Sequence, residues 1–184
     1  MLPAFLGALL LDSSGVCAAT LLAALVHEAG HLAAAYGMGI PLASIRLDPL
    51  GARIGIRNRL LTYGQEWLLA AMGPLFSLLA SLVLAPLWQE HPFAQLFSGA
   101  SLLLGTLNLL PVSSFDGGRM TEVVLGRFFG VRAAARIMQA MTFLILLLLW
   151  TLSVYFLLRI GGGLSLLCFS VSLFARFLEN GEIG

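Results

Sequence analysis

A chain of 184 residues that is 59% hydrophobic and 10% charged, with a mean hydropathy of +0.97, has too little polar side chain to cover a water-facing globule, which excludes a soluble fold. The formal net charge of +1 comes from scattered arginines, with no lysine, and gives no electrostatic basis for a nucleic-acid partner. Cys17 and Cys168 lie in apolar runs, where a free cysteine behaves as a small hydrophobe.

In chain order, residues 2–11 form a short apolar stretch that lacks the basic flank and cleavage site of a signal peptide. It reads as retained, and it spans a bilayer only with help from thinning or from neighbouring helices. A spanning helix needs roughly 20 mostly apolar residues. Runs of that kind follow at 16–36, 65–88, 93–110 and 134–158, with a shorter one at 164–178. Between the first two, residues 37–64 alternate Ile, Leu and Arg around a DPLG turn, which is a hairpin pattern. Its edge amides cannot face lipid, so the hairpin belongs at the interface or under protein, where it offers an edge to an extended partner. The expectation is an all-α polytopic membrane protein with five or six transmembrane helices, one short β-hairpin between the first clear span and the next, and a single domain over residues 1–184.

Charge sets the orientation, because cytoplasmic loops carry the excess of basic residues. The 37–64 loop holds Arg46, Arg53, Arg57 and Arg59 against Asp48, and the 112–136 segment holds Arg119, Arg127, Arg132 and Arg136 against Asp116 and Glu122. Both are expected on the cytoplasmic side of the cell membrane. His91 and Glu90 then fall in the short turn on the opposite face.

The first clear span contains HEAGH, His27 to His31. On a helix the two histidines stand one turn apart on one face and reach a single metal ion, while Glu28 sits beside that ion. The H-E-x-x-H pattern belongs to zinc hydrolases in which the glutamate activates a zinc-bound water. Two histidines and a glutamate inside an apolar helix are costly unless they pair, bind metal or line a wet cavity. At 1.5 Å per residue, His31 lies roughly 8 Å from the cytoplasmic end of its helix. A third protein ligand is needed. Topology offers Asp116, Glu66 and Glu122 at that level, with Asp116 ahead because Pro111 and the Gly117-Gly118 pair let its backbone bend close to another helix.

These motifs resemble the site-2 proteases, intramembrane zinc metalloproteases that cut transmembrane segments of other proteins. The resemblance rests on HEAGH and on NLLPVSSFDGG, Asn108 to Gly118, which matches the pattern N-x-x-P-x-x-x-x-D-G. It extends to GPLFS, Gly73 to Ser77, and to the hairpin loop. It implies Glu28 as general base, one zinc ion on His27, His31 and Asp116, and Asn108 near the cleft steadying the substrate backbone or the oxyanion. Its expected partners are a membrane-protein substrate and the lipid bilayer, in regulated intramembrane proteolysis. The layout resembles the compact bacterial type without PDZ or CBS domain, and it departs from the asparagine that family members often carry where this chain has Ser77. Two alternatives stand beside it. One is another membrane HExxH protease with Glu66 or Glu122 as ligand, and the other is a non-enzymatic metal-binding scaffold or transporter.

Overall fold

A computed structural model of the chain describes residues 14–40, 42–48, 51–56, 61–160 and 164–181; for the two strands and for residues 160, 164–166, 176 and 179–181 it describes the backbone alone. The stretch at 2–11, Arg57 and Arg59 fall outside the described residues. The chain forms two compact units, Met1–Leu109 and Leu110–Gly184.

The first unit holds helix α1 (Val16–Gly37), strands β1 (Leu42–Asp48) and β2 (Gly51–Ile56), helix α2 (Tyr63–Leu84) with a 3-10 turn at Ala85–Leu87, and helix α3 (Pro92–Asn108). The strands pair antiparallel from Leu42↔Ile56 to Asp48↔Gly51, with an irregularity between Leu42 and Ser44. In α1 the buried residues are Ala19, Ala23, His27, Gly30, His31, Ala34 and Ala35. Their spacing of three and four residues makes one stripe along the helix. Small side chains on such a stripe let neighbouring backbones approach closely, which is how helices associate where lipid supplies no hydrophobic drive between them. A Cβ at Gly30 would overlap the Met72 carbonyl of α2. Thr62 starts α2 with a capping box, its hydroxyl accepting from Gln65 N–H while the Gln65 side chain accepts from Thr62 N–H, so two of the helix's orphan donors are satisfied. Ser81 and Ser98 join α2 to α3 through buried hydroxyls 3.0 Å apart.

The second unit holds α4 (Asp116–Phe129), α5 (Val131–Ile160) and α6 (Leu164–Gly181). Val112, Leu146 and Leu173 form its core. Helix α4 lies in the segment that reads as a basic loop. Its buried residues are Gly117, Gly118, Val123 and Gly126, so the packed stripe is mostly glycine.

Three helices are long and apolar enough to cross a membrane by length and composition: Val16–Gly37, Tyr63–Leu87 and Val131–Arg159. The expectation of five or six exceeds what these criteria support among the described residues, and α3 is only 17 residues long. Leu82 and Val83 in α2 are each 70% exposed and Leu148 in α5 is 66% exposed, an outward apolar surface suited to lipid rather than water.

Gly30→Ala places a methyl against backbone that cannot rotate away, so it is expected to force α1 and α2 apart at a cost of about 1–3 kcal/mol, as overpacking typically does. Gly99→Ala, whose Cβ meets nothing within 4 Å, is expected to be neutral or slightly stabilising. Thermal unfolding of the two variants in detergent checks the contrast.

Candidate metal centre

His27 and His31 are 5% and 9% exposed, and their imidazoles meet edge to face with ring centroids 5.0 Å apart. The two Nε2 atoms are 3.3 Å apart. The other nitrogen of each ring is engaged by α2: His31 Nδ1 lies 2.8 Å from the Leu69 carbonyl oxygen, and His27 Nδ1 lies 2.9 Å from Ser77 Oγ. A ring nitrogen facing a carbonyl must carry the hydrogen, so His31 donates from Nδ1 and turns a bare Nε2 lone pair toward His27. For His27 the Ser77 hydroxyl either donates or accepts.

The fit of this pair to a metal can be tested by length. Two nitrogens each about 2.0–2.1 Å from one tetrahedral zinc stand about 3.3–3.4 Å apart. The pair matches that edge, and its outer nitrogens are held by a carbonyl and a hydroxyl, the partners that orient metal-binding histidines. Glu28, next on the helix, keeps a side-chain oxygen buried.

Helix α2 supplies the floor. A Cβ at Gly73 would fall on Nε2 of both histidines, so only glycine leaves those atoms clear. Pro74 follows inside the helix. It lacks an N–H, which strips the Ala70 carbonyl of its helical partner and opens that turn. The adjoining carbonyl, that of Leu69, is the one that receives His31. Gly73, Pro74 and Ser77 belong to the GPLFS run, which sequence reading tied to the site by resemblance alone and left without a role.

Of the remaining expected site residues, Asn108 lies at the end of α3 and gives one amide hydrogen to the Leu104 carbonyl, 3.0 Å away. Asp116 belongs to the second unit, where it is half-buried as the first residue of α4, the end of a helix that favours an anion. Its loop is pinned locally. Val112 is 1% exposed, Ser113 N–H donates to Thr142 Oγ1 at 3.0 Å, Phe115 N–H donates to the Val112 carbonyl at 2.8 Å, and a Cβ at Gly118 would overlap that carbonyl. Glu66 is half-buried in the first turn of α2, while Glu122 and His91 are exposed.

Residues 88–152 match the family model for peptidase family M50. A zinc metalloprotease of Methanocaldococcus jannaschii is 29% identical over 133 residues, which cover 66% of this chain and 39% of the relative. The chain is similar to the site-2 proteases. It spans about two fifths of the length of that curated relative. The solved site-2 protease from Methanocaldococcus jannaschii shares the fold, with a TM-score of 0.67 at 22% identity over 97% of this chain and 84% of that one. The M50 family model covers the segment holding Asn108 and Asp116 but begins well after His27 and His31. The histidine pair therefore stands as an observation separate from that match.

Gly73→Ala is expected to displace both imidazoles and lower divalent-metal affinity by more than the roughly 10–100-fold typical of losing an outer partner of a ligand. Gly99→Ala should leave affinity unchanged. Competition with a chromophoric chelator reads the difference.

Proposed function

We propose that the chain is an intramembrane zinc metalloendopeptidase that cuts a transmembrane or membrane-proximal segment of another membrane protein, in regulated intramembrane proteolysis. The observation that carries the proposal is the buried pair of Nε2 atoms 3.3 Å apart with Glu28 beside it. In this reading His27, His31 and Asp116 would hold one zinc ion, as the resemblance to the site-2 proteases implies, a two-nitrogen, one-carboxylate set of the kind that leaves a fourth position open for water. The chemistry zinc supplies when so held is Lewis-acid polarisation and activation of water near neutral pH.

The residues divide the remaining work. Glu28 takes the proton of the attacking water at its carboxylate and delivers it to the leaving amine. Asn108 steadies the substrate backbone through its remaining amide hydrogen. A helical substrate hides its carbonyls in hydrogen bonds, so the segment must unwind before cutting, and the strand pair offers an edge on which the unwound stretch is held. In this reading the protein is a multi-pass protein of the cell membrane with further crossings beside the three longest helices, and its site lies near the cytoplasmic face. Support for the class of activity comes from the match to the M50 family model and from the similarity to a zinc metalloprotease. A glutamate ligand is the weaker reading, since Glu122 is exposed and Glu66 joins no cluster of potential metal ligands among the described residues.

Zinc content and cleavage of a membrane-anchored candidate test the proposal with three proteins side by side. Glu28→Gln should keep zinc and lose about 10²–10⁴-fold in rate, the usual worth of a general base, and Asp116→Asn should lose zinc. Full activity in Glu28→Gln would overturn the mechanism. Proline substitutions flanking the cleavage site of the substrate should slow cutting, because proline cannot donate to a strand edge; undiminished cutting would remove the role given to the strand pair.

A further inference from the structure

Leu69, Gly73 and Ser77 are spaced by four residues, so they lie along one face of α2. Each meets the histidine pair at its own level: the Leu69 carbonyl meets His31 Nδ1, the Gly73 position lies against both Nε2 atoms, and the Ser77 hydroxyl meets His27 Nδ1. The ladder is matched in reverse on α1, where His27 precedes His31. The two outer contacts differ in kind. The partner of His31 Nδ1 is a backbone carbonyl that no side-chain change removes, whereas the partner of His27 Nδ1 is a side-chain hydroxyl that a substitution does remove.

That hydroxyl is confined. Ser77 is 0% exposed, and on α3 a Cβ at Gly105 would come within 3.1 Å of Ser77 Cβ, so α3 backs the side chain closely. Water has little access to replace the hydroxyl, and a buried ring nitrogen that loses its partner bears the desolvation cost in full. A ring nitrogen that donates outward leaves the opposite nitrogen bare and more basic, the form a metal ligand needs.

We propose that Ser77 is a positioning residue for His27: its hydroxyl accepts the Nδ1 hydrogen and holds the bare Nε2 toward the metal. This inference rests on the metal-binding reading above and assigns the serine of the GPLFS run a task distinct from helix packing. Ser98 supplies the control, because its hydroxyl is equally buried at 0% exposure and joins α2 to α3 through Ser81 without touching either histidine.

The test uses the whole chain in detergent, with zinc affinity read by competition with a chromophoric chelator and ligand geometry read from the visible absorption of the cobalt-loaded protein. Ser77→Ala is expected to weaken zinc binding about 10–100-fold, the usual effect of removing an outer-shell partner, and to alter the cobalt bands. Ser98→Ala is expected to change neither, and both variants should unfold as cooperatively as the wild type. Wild-type affinity and an unaltered cobalt spectrum in Ser77→Ala would overturn the inference while leaving the metal reading intact. Equal losses in Ser77→Ala and Ser98→Ala would also overturn it, by tracing the effect to packing. A wild-type chain that takes up no zinc would bring down the metal reading itself.

Discussion

The close approach of α1 to α2 is the constraint on which the rest of the first unit depends. Two imidazoles buried in an apolar helix must have their polar atoms satisfied, because an unpartnered polar group in such surroundings costs several kcal/mol (~2–7 by transfer measurements). The α2 helix satisfies them only if its backbone comes near enough for a main-chain carbonyl to accept from His31. Gly30 on one helix and Gly73 on the other permit that distance. A larger residue at either position would separate the helices and strip the histidines of their partners. Packing and chemistry are therefore one requirement here.

A proline within the second helix serves the same end. Inside a bilayer a spanning helix is expected to keep its backbone hydrogen bonds to itself, and a break is tolerated where neighbouring groups take up what is released. Pro74 makes such a break one residue after the glycine that makes room for both Nε2 atoms. The carbonyl beside the opened turn is engaged by a histidine from the adjacent helix. What would be a defect in an isolated helix becomes an acceptor for the site.

The histidine pair was legible because H-E-x-x-H writes its geometry in a helical spacing, and a hydrophobic run of the right length around it declares the helix. The small residues of the α1 stripe could be read in the same way. Ser77 could not, because its task depends on which rung of α2 faces which rung of α1, a register that no local pattern encodes. Helix α4 escaped for a different reason. Its packed positions are largely glycine and charged residues interrupt its apolar ones, so it makes no long apolar run, and Arg119, Arg127 and the two consecutive phenylalanines at its end give the composition of an interfacial loop. The number of membrane crossings was less legible, because runs such as 93–110 and 164–178 are apolar but short, and among the described residues three helices meet both the length and the composition criteria.

The match to the M50 family model and the geometry of the histidine pair come from different parts of the chain. The stretch matched by the M50 family model starts at residue 88, so it owes nothing to HEAGH. The pair of Nε2 atoms owes nothing to that match, since its spacing follows from helical geometry and from the contacts made by Leu69, Gly73 and Ser77. A structural polar cluster would satisfy burial with any hydrogen-bonded arrangement. It would have no need to engage the outer nitrogen of each ring with a carbonyl or hydroxyl, to keep the inner nitrogens at a ligand spacing, and to leave the adjoining helix without a side chain beneath them. The three features together are what the metal-binding proposal requires of the first unit.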